Sequence, residues 1–471
     1  AARALAQAGI DDICLLELED SAGGNSRGHV MGGMRCPLGA HYLPLPGAAA
    51  HEVGELLEAL GVRRNELGQS RYDERMLCHS PQERLFIGGA WRDGLLPPLD
   101  ALPAAERART AAEYVAFGRA VDAASRAGAF AIPTARSRWG PSLEALDAMT
   151  FDAWLDDRGL VTPALRWYLD YCCLDDYGAG SAQVSAWAGL HYFASRHGFR
   201  APGDETRGDS GEGVLVWPEG NAWLVERMAA PFAARLQRGR VVLRVDEGRN
   251  EVAIDCWNVA TAQHERWLAP AVVLATPLFI AARLLAAPPP ALLEAARSAR
   301  QAPWLVANLQ LRDALQERPG APLSWDNVFY AGKGLGYVDA MHQALRPHAG
   351  PTVLTAYRAL GGDDATALSS GRRQLLQDPW AVWAERVVKE LEAAHPDLRD
   401  RLERVDLMRY GHAMSVPTPG RRSSPALRAL AEDEGRVQFA HSDLSAYSVF
   451  EEALYHGMRA GRTAAARLRG G

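Results

Sequence analysis

The stretch that most restricts the fold is IDDICLLELEDSAGGNSRG, residues 10–28. Its apolar run closes on Leu15, Leu16 and Leu18, with Glu17 between them; Glu19 and Asp20 follow, then the pair Gly23-Gly24, then Arg27 and Gly28. A near-continuous apolar run predicts a strand buried on both faces, as in a parallel sheet covered by helices. Ahead of it, AARALAQAG (1–9) is alanine-rich and ends on Gly9, which predicts a helix with a glycine stop. Helix, buried strand, strand-end acid and glycine turn is the order of the second half of a βαβ dinucleotide-binding unit. There the acid accepts hydrogen bonds from a ribose, and a pyrophosphate sits at a helix N-terminus. On this reading the first strand and its GxGxxG turn are expected just upstream of Ala1. An ordinary strand-end turn is the alternative for the stretch taken alone.

A chain of 471 residues exceeds one ordinary core, so two domains are expected. The net charge of −6 argues against a nucleic-acid or anionic-membrane partner. Lysine occurs only at Lys333 and Lys389, and arginine supplies the remaining positive charge. The six cysteines form no CxxC pair, so neither a disulfide framework nor a metal site is expected. No run approaches ~18 apolar residues, so no transmembrane helix is expected. No export signal is visible, and a cytoplasmic location is the default. Because the chain opens inside a motif, an upstream leader stays open.

Four further stretches carry pattern. CPLGAHYL (36–43) reads as a proline-bounded hairpin strand with Gly39 and a half-buried His41. VWPEGNAWLVERMAAPFAARL (216–236) and GRVVLRVDEG (239–248) read as a turn, a helix and a strand carrying Val245. LAPAVVLATPL (268–278) is a strand closing on Ala-Thr-Pro. Residues 435–468 begin with the short strand Val437 to Ala440, then Asp443, then a helix. Ser448 and Glu451 have capping-box spacing, and Ala453, Gly457, Gly461 and Ala465 make a small-residue face suited to close packing against a sheet or cofactor.

In this order the segments resemble the flavin-dependent amine oxidase superfamily, which includes monoamine and polyamine oxidases, phytoene desaturases and protoporphyrinogen oxidases. The resemblance covers about residues 1–45, 210–285 and 430–471, and implies that these form an α/β FAD-binding domain of Rossmann-like, glutathione-reductase type. Residues 46–209 and 286–429 are then an inserted α+β substrate-binding domain. By resemblance, Glu17 holds the adenosine ribose, with Gly23 and Gly24 six and seven residues on. Asn25 stands where the family has arginine, so Arg27 is the matching cation for the pyrophosphate. Gly39, Ala40 and His41 lie against the flavin ring, and the Val245 backbone meets the adenine. Asp443 contacts the ribityl or phosphate part. The helix start at Ser448, Val449 and Phe450 faces the pyrimidine edge, where free N–H groups and the helix dipole stabilise the negative charge of reduced flavin. His441 and Ser442 depart from the usual pair before this aspartate. No covalent-attachment motif is recognisable, so FAD is expected to be non-covalent.

The inserted blocks begin with helical spacing in HEVGELLEALGV and AERARTAAEYVAFGRAVDAAS. DPWAVWAERVVKELEAAHPDL reads as a core helix on Trp380, Trp383, Val387 and Leu391, and ETRGDSGEG (205–213) as a loop or linker. Candidate cavity residues are Trp187, His191, Tyr192, Tyr330, Tyr357, His412 and Tyr447. Catalytic candidates are His41, Tyr357 and Tyr447, with Tyr357 and Tyr447 expected as a pair of rings across the flavin. Lys333 reads as a surface-loop lysine. The resemblance implies hydride removal from the carbon beside an amine nitrogen, with a small-molecule amine as substrate and dioxygen or another electron acceptor. A desaturase or porphyrinogen-type oxidase of a large apolar substrate is one alternative; a non-catalytic flavin-binding protein is the other.

Overall fold

The computed structural model describes every residue except 127–128, 203–212, 345, 347–348 and 471, and describes His197 and Ala365 by backbone only. All but the last residue of the 205–213 linker segment thus lies outside the described residues.

The opening helix, Ala2–Gln7, leads through Gly9, in a left-handed conformation at φ 73°, to the strand Leu15–Leu16. That strand pairs in parallel with Leu236–Gln237. It is shorter and less buried than its apolar run predicts: Leu15 and Leu16 are half-buried, and Leu18 is 58% exposed. Period-two alternation ends at Leu16, because the chain bends at Leu18 and turns that side chain outward. A second parallel pair joins Val272–Leu274 to Val437–Phe439. Between them in sequence lies an antiparallel meander, Arg240–Glu247, Val252–Asn258 and Gln263–Ala269, with a register shift between Val242 and Arg244. The C-terminal helix Phe450–Gly470 touches the parallel strands Val272–Leu274 and Val437–Phe439 and packs on the opening helix. Gly461 makes that approach possible: a Cβ there would lie 2.6 Å from the Ala1 carbonyl oxygen.

The other half is built on a seven-stranded mixed sheet. Its order is Leu402–Ser415, Gln301–Leu311, Thr352–Ala359, Tyr337–Asp339, Asp326–Phe329, Glu83–Ile87 and Ala90–Asp93. Five strands come from the block after residue 286 and two from the block before 210. Helices Ala104–Arg126, Pro163–Tyr177 and Ala186–Tyr192 cover one face, and the largest apolar cluster runs from Phe117, Trp154 and Trp187 to Val306, Tyr357 and Tyr447. Helix Pro163–Tyr177 has proline at its start and stops at Gly178, at φ 71°. That stop leaves Asp175 and Asp176 at its last turn. Helix Trp380–Glu392 buries Trp383, Val387 and Leu391 as its spacing predicts, but Trp380 is 56% exposed at the first helical position. Its indole N–H instead donates to the Val405 carbonyl.

Candidate functional site

The glycine turn and the 36–43 strap come together first. Gly23 and Gly24 take φ values of 136° and 54°, and Gly24–Ser26 forms one turn of 3-10 helix. Asn25 then presents its carbonyl to the Ala40 N–H at 2.9 Å. A Cβ on Gly39 would lie 2.1 Å from that oxygen, so only glycine permits this crossing. The strap continues into the strand Tyr42–Pro44, which pairs antiparallel with Val214–Val216.

Beyond Gly39 the chain delivers His41 and Tyr42 into an aromatic cage. His41 stacks on Tyr357 with centroids 4.4 Å apart, and the Tyr357 hydroxyl donates to the Gly39 carbonyl at 3.1 Å. Trp325 closes the cage, 5.5 Å from His41 and 5.9 Å from Tyr42, edge to face with the tyrosine. Burial lowers the His41 imidazole to about 3, so the ring is neutral at neutral pH. Gly39, His41, Tyr42 and Tyr357, all singled out from the sequence, are thus brought together, and Trp325, which was not, joins them.

Carboxyl groups border this cage. Asp175 is half-buried; burial and the neighbouring Asp176 raise it to about 7, against the opposing hydrogen bond from the Tyr42 hydroxyl. Asp326, directly after Trp325, is pushed well up by burial, Asp175 and Glu83. Asp176 is sealed: burial raises it, while Arg196 and the donating Tyr447 hydroxyl oppose the rise. Arg196 in turn pairs with Glu451 at 2.7 Å. Sequence reasoning missed these acids. The available signal was an acid pair closing the apolar run CCLDD, and an acid inside the apolar strand segment WDNVF.

The Tyr447 ring contacts Tyr177 and His191 and its hydroxyl is committed to Asp176, while Tyr357 stacks on His41. Trp187 and His191 are packed together in the core, with His191 Nε2 at 2.9 Å from the Ala131 carbonyl. Tyr192 lies edge-on to Phe193, Tyr330 lies against Trp167, and His412 is exposed against Phe279. Lys333 is exposed on a loop whose Lys333 and Gly334 amides donate to the Glu390 carboxylate.

At the strand end, Glu17 exchanges backbone hydrogen bonds with Gln237 and Arg240, and its Oε1 accepts the Glu19 amide at 3.0 Å. Arg27 holds Glu19 at 3.2 Å and donates to the Gly24 carbonyl. Val245 is fully buried, and its carbonyl accepts the Ala286 amide at 2.9 Å. Asp443 is sealed as well. Its two oxygens accept from the Leu278 amide and the Gln301 side chain, each at 3.0 Å, which ties the Ala-Thr-Pro exit to the C-terminal segment. Ser448 accepts the Ser415 amide at 2.8 Å instead of capping the helix, and Glu451 turns to Arg196, so the capping box does not form. Val449 and Phe450 are half-buried at the helix start.

These groups fit a flavin dinucleotide at both ends. Among the described residues Glu17 Oε2 has no hydrogen-bond partner, and Thr276 Oγ1 and Ser415 Oγ are buried without partners, Ser415 next to the start of the C-terminal helix, whose first-turn N–H groups have no intrahelical acceptor. No helix among the described residues is long and apolar enough to cross a membrane, and none of their histidine, cysteine and acidic groups is clustered to hold a metal ion.

A flavin-type strand, a glycine turn and an inserted aromatic site define an oxidoreductase. The chain belongs to the flavin-containing amine oxidoreductases, whose family model matches residues 1–465. It is therefore an FAD-dependent oxidoreductase of the amine oxidase type. Cyclohexylamine oxidase from Brevibacterium oxydans IH-35A has a similar structure, with TM-score 0.69 and 16% identity over 99% of this chain and 96% of the other. Wild-type putrescine oxidase bound to putrescine gives TM-score 0.65 and 15% identity over 100% and 96%. A CLA-producing fatty acid isomerase from P. acnes gives 0.61 and 15% over 97% and 93%, so the shared fold alone does not define the substrate. No curated protein matches the chain in sequence.

Proposed function

We propose that the protein oxidises the C–N bond of a small amine, using non-covalent FAD. Glu17 is assigned to the adenosine ribose, Gly23, Gly24 and Arg27 to the pyrophosphate side, and Gly39, Ala40 and His41 to the ring. The start of the C-terminal helix at Ser448, Val449 and Phe450 serves the pyrimidine edge. When bound, the flavin supplies the acceptor for the hydride leaving the carbon beside the amine nitrogen.

The observation that carries this reading is the cage of His41, Tyr42, Trp325 and Tyr357 with Asp175 and Asp326 beside it. Aromatic faces attract an alkylammonium group, and adjoining carboxyls strengthen that attraction in a water-poor site. The same cage walls align the carbon and exclude water. A hydrocarbon polyene offers these carboxyls neither a charge nor a hydrogen-bond donor.

Mass spectrometry of products tests the reading. Benzylamine, cyclohexylamine and 1,4-diaminobutane should yield the corresponding carbonyl compounds, while polyene and porphyrinogen substrates should be recovered unchanged. Oxidation of a polyene with no reaction of any amine would overturn it. Acid precipitation of the flavin-loaded protein should leave a colourless pellet and a yellow supernatant; a yellow pellet would show covalent attachment.

A further inference from the structure

We infer that Asp175 takes the proton from the substrate's ammonium ion before its carbon is oxidised. The inference rests on the amine reading above. Helix Pro163–Tyr177 ends beside the cage, and its Asp175 carboxyl lies within electrostatic reach of the hydroxyl of Tyr42, whose ring meets both His41 and Trp325. Asp175 is half-buried rather than sealed, so it has surface to offer a ligand. Among the described residues no arginine or lysine pairs with it. Its neighbour Asp176 differs, because Arg196 and Tyr447 already compensate that charge. A buried carboxylate without a counter-ion is stable only with a proton or a cation from outside.

Other groups near the cage are unsuited to the role. His41 is held neutral by burial, and His191 is sealed with its Nε2 on the Ala131 carbonyl. The Tyr42, Tyr171, Tyr192 and Tyr357 hydroxyls and the Cys172 thiol are all pushed upward by burial, so at neutral pH they keep their protons. Asp326 is raised as well, by burial, Asp175 and Glu83, so the two neighbouring acids resist ionising together, and the further acid Glu83 bears on Asp326. Lys333 is on the surface. Asp175, raised to about 7, changes state in the neutral range.

The step balances simply. An N–H bond of the ammonium ion breaks and its electron pair stays on nitrogen. The proton passes to a carboxylate oxygen of Asp175, giving a neutral amine and a neutral acid. In water the ammonium ion is far the weaker acid. In an apolar cage the neutral pair is favoured over the ion pair, which narrows that gap. The free nitrogen lone pair is what assists departure of the hydride from the adjacent carbon.

The test is anaerobic reduction of the flavin-loaded enzyme by benzylamine, followed against pH. In the wild type the rate should fall through the neutral range on acidification, as Asp175 becomes protonated before substrate arrives. Asp175→Asn should be slower by roughly 10²-fold at pH 7. The gap should close as pH approaches the amine's own pKa, because neutral amine then arrives from solution. Asp175→Glu should recover part of the rate, and matched flavin content and melting temperature will confirm that both variants fold. Equal rates for wild type and Asp175→Asn at pH 7, a defect equal at every pH, or a flat wild-type profile would each overturn the assignment while leaving the amine reading intact. If no amine reduces the wild-type flavin at any pH, the amine reading fails and this assignment fails with it.

Discussion

Glu17 and Asp443 show how much two acids of one motif set can differ. Glu17 is half-buried, and one of its oxygens is uncommitted. Glu17→Gln should weaken FAD binding by about 1–3 kcal/mol, the cost of a charged acceptor lost to buried hydroxyls. Glu19→Gln and Asp20→Asn should change it little, since both residues are exposed. Fluorescence titration of the flavin-free protein decides, and loss in Glu19→Gln with none in Glu17→Gln would move the strand register by two. Asp443 is instead a structural anchor. Burial alone would raise its carboxyl, but His441, Gln301 and the Leu278 amide outweigh burial and hold it below the usual carboxylate range. A depressed folded-state value means stability that is present above the unfolded pKa of about 4 and lost as pH falls below it. Asp443→Asn should therefore cost about 1–3 kcal/mol at pH 7 and progressively less in acid, as thermal unfolding at both conditions would read out. A deficit that stays constant with pH would contradict the anchored charge. Both acids were visible as motif members in the sequence, but which was open and which sealed was not. That depends on Gln301, 142 residues from Asp443.

At the scale of elements, local pattern was legible and assembly was not. The acid-to-glycine spacing, the Gly39 strap and the C-terminal helix follow from residues close in sequence. The capping box failed because stronger distant partners, Ser415 and Arg196, captured its two side chains. Tyr357 reaches Gly39 across 318 residues, and no local spacing records such a contact. Two predictions belong here. Gly39→Ala drives a Cβ against the Asn25 carbonyl, so strap and glycine turn must separate. Its flavin content after purification should drop sharply, and normal content would show that the crossing is dispensable. The Arg196–Glu451 pair is nearly sealed and joins the helical cover to the C-terminal helix. Arg196→Met leaves two buried acids, Glu451 and Asp176, without their cation and should destabilise by about 3–5 kcal/mol, while adding Glu451→Gln should restore part of that, since Asp176 stays uncompensated. Denaturant unfolding of both variants checks the order; equal losses would show that the pair is not coupled.

For the whole molecule, the sequence divided the chain into three flavin-type segments and two inserted blocks, and the seven-stranded sheet draws its strands from both of those blocks. His41, Tyr42 and Tyr357 were legible one by one, but Asp175 and Trp325 were hidden, because they join the cage from segments far apart in the chain. An acid in an apolar run reads locally as an imperfection, and gains meaning only when the fold sets it beside aromatic rings. The account therefore stands on one chemical claim, that this cage presents an amine to FAD. The most direct measurement is the visible absorbance of the flavin-loaded protein on anaerobic mixing with benzylamine, cyclohexylamine or 1,4-diaminobutane. Bleaching by at least one amine, with none by the matching alcohol, is the predicted result. A flavin band unchanged by every amine, in protein that dithionite reduces normally, would contradict it.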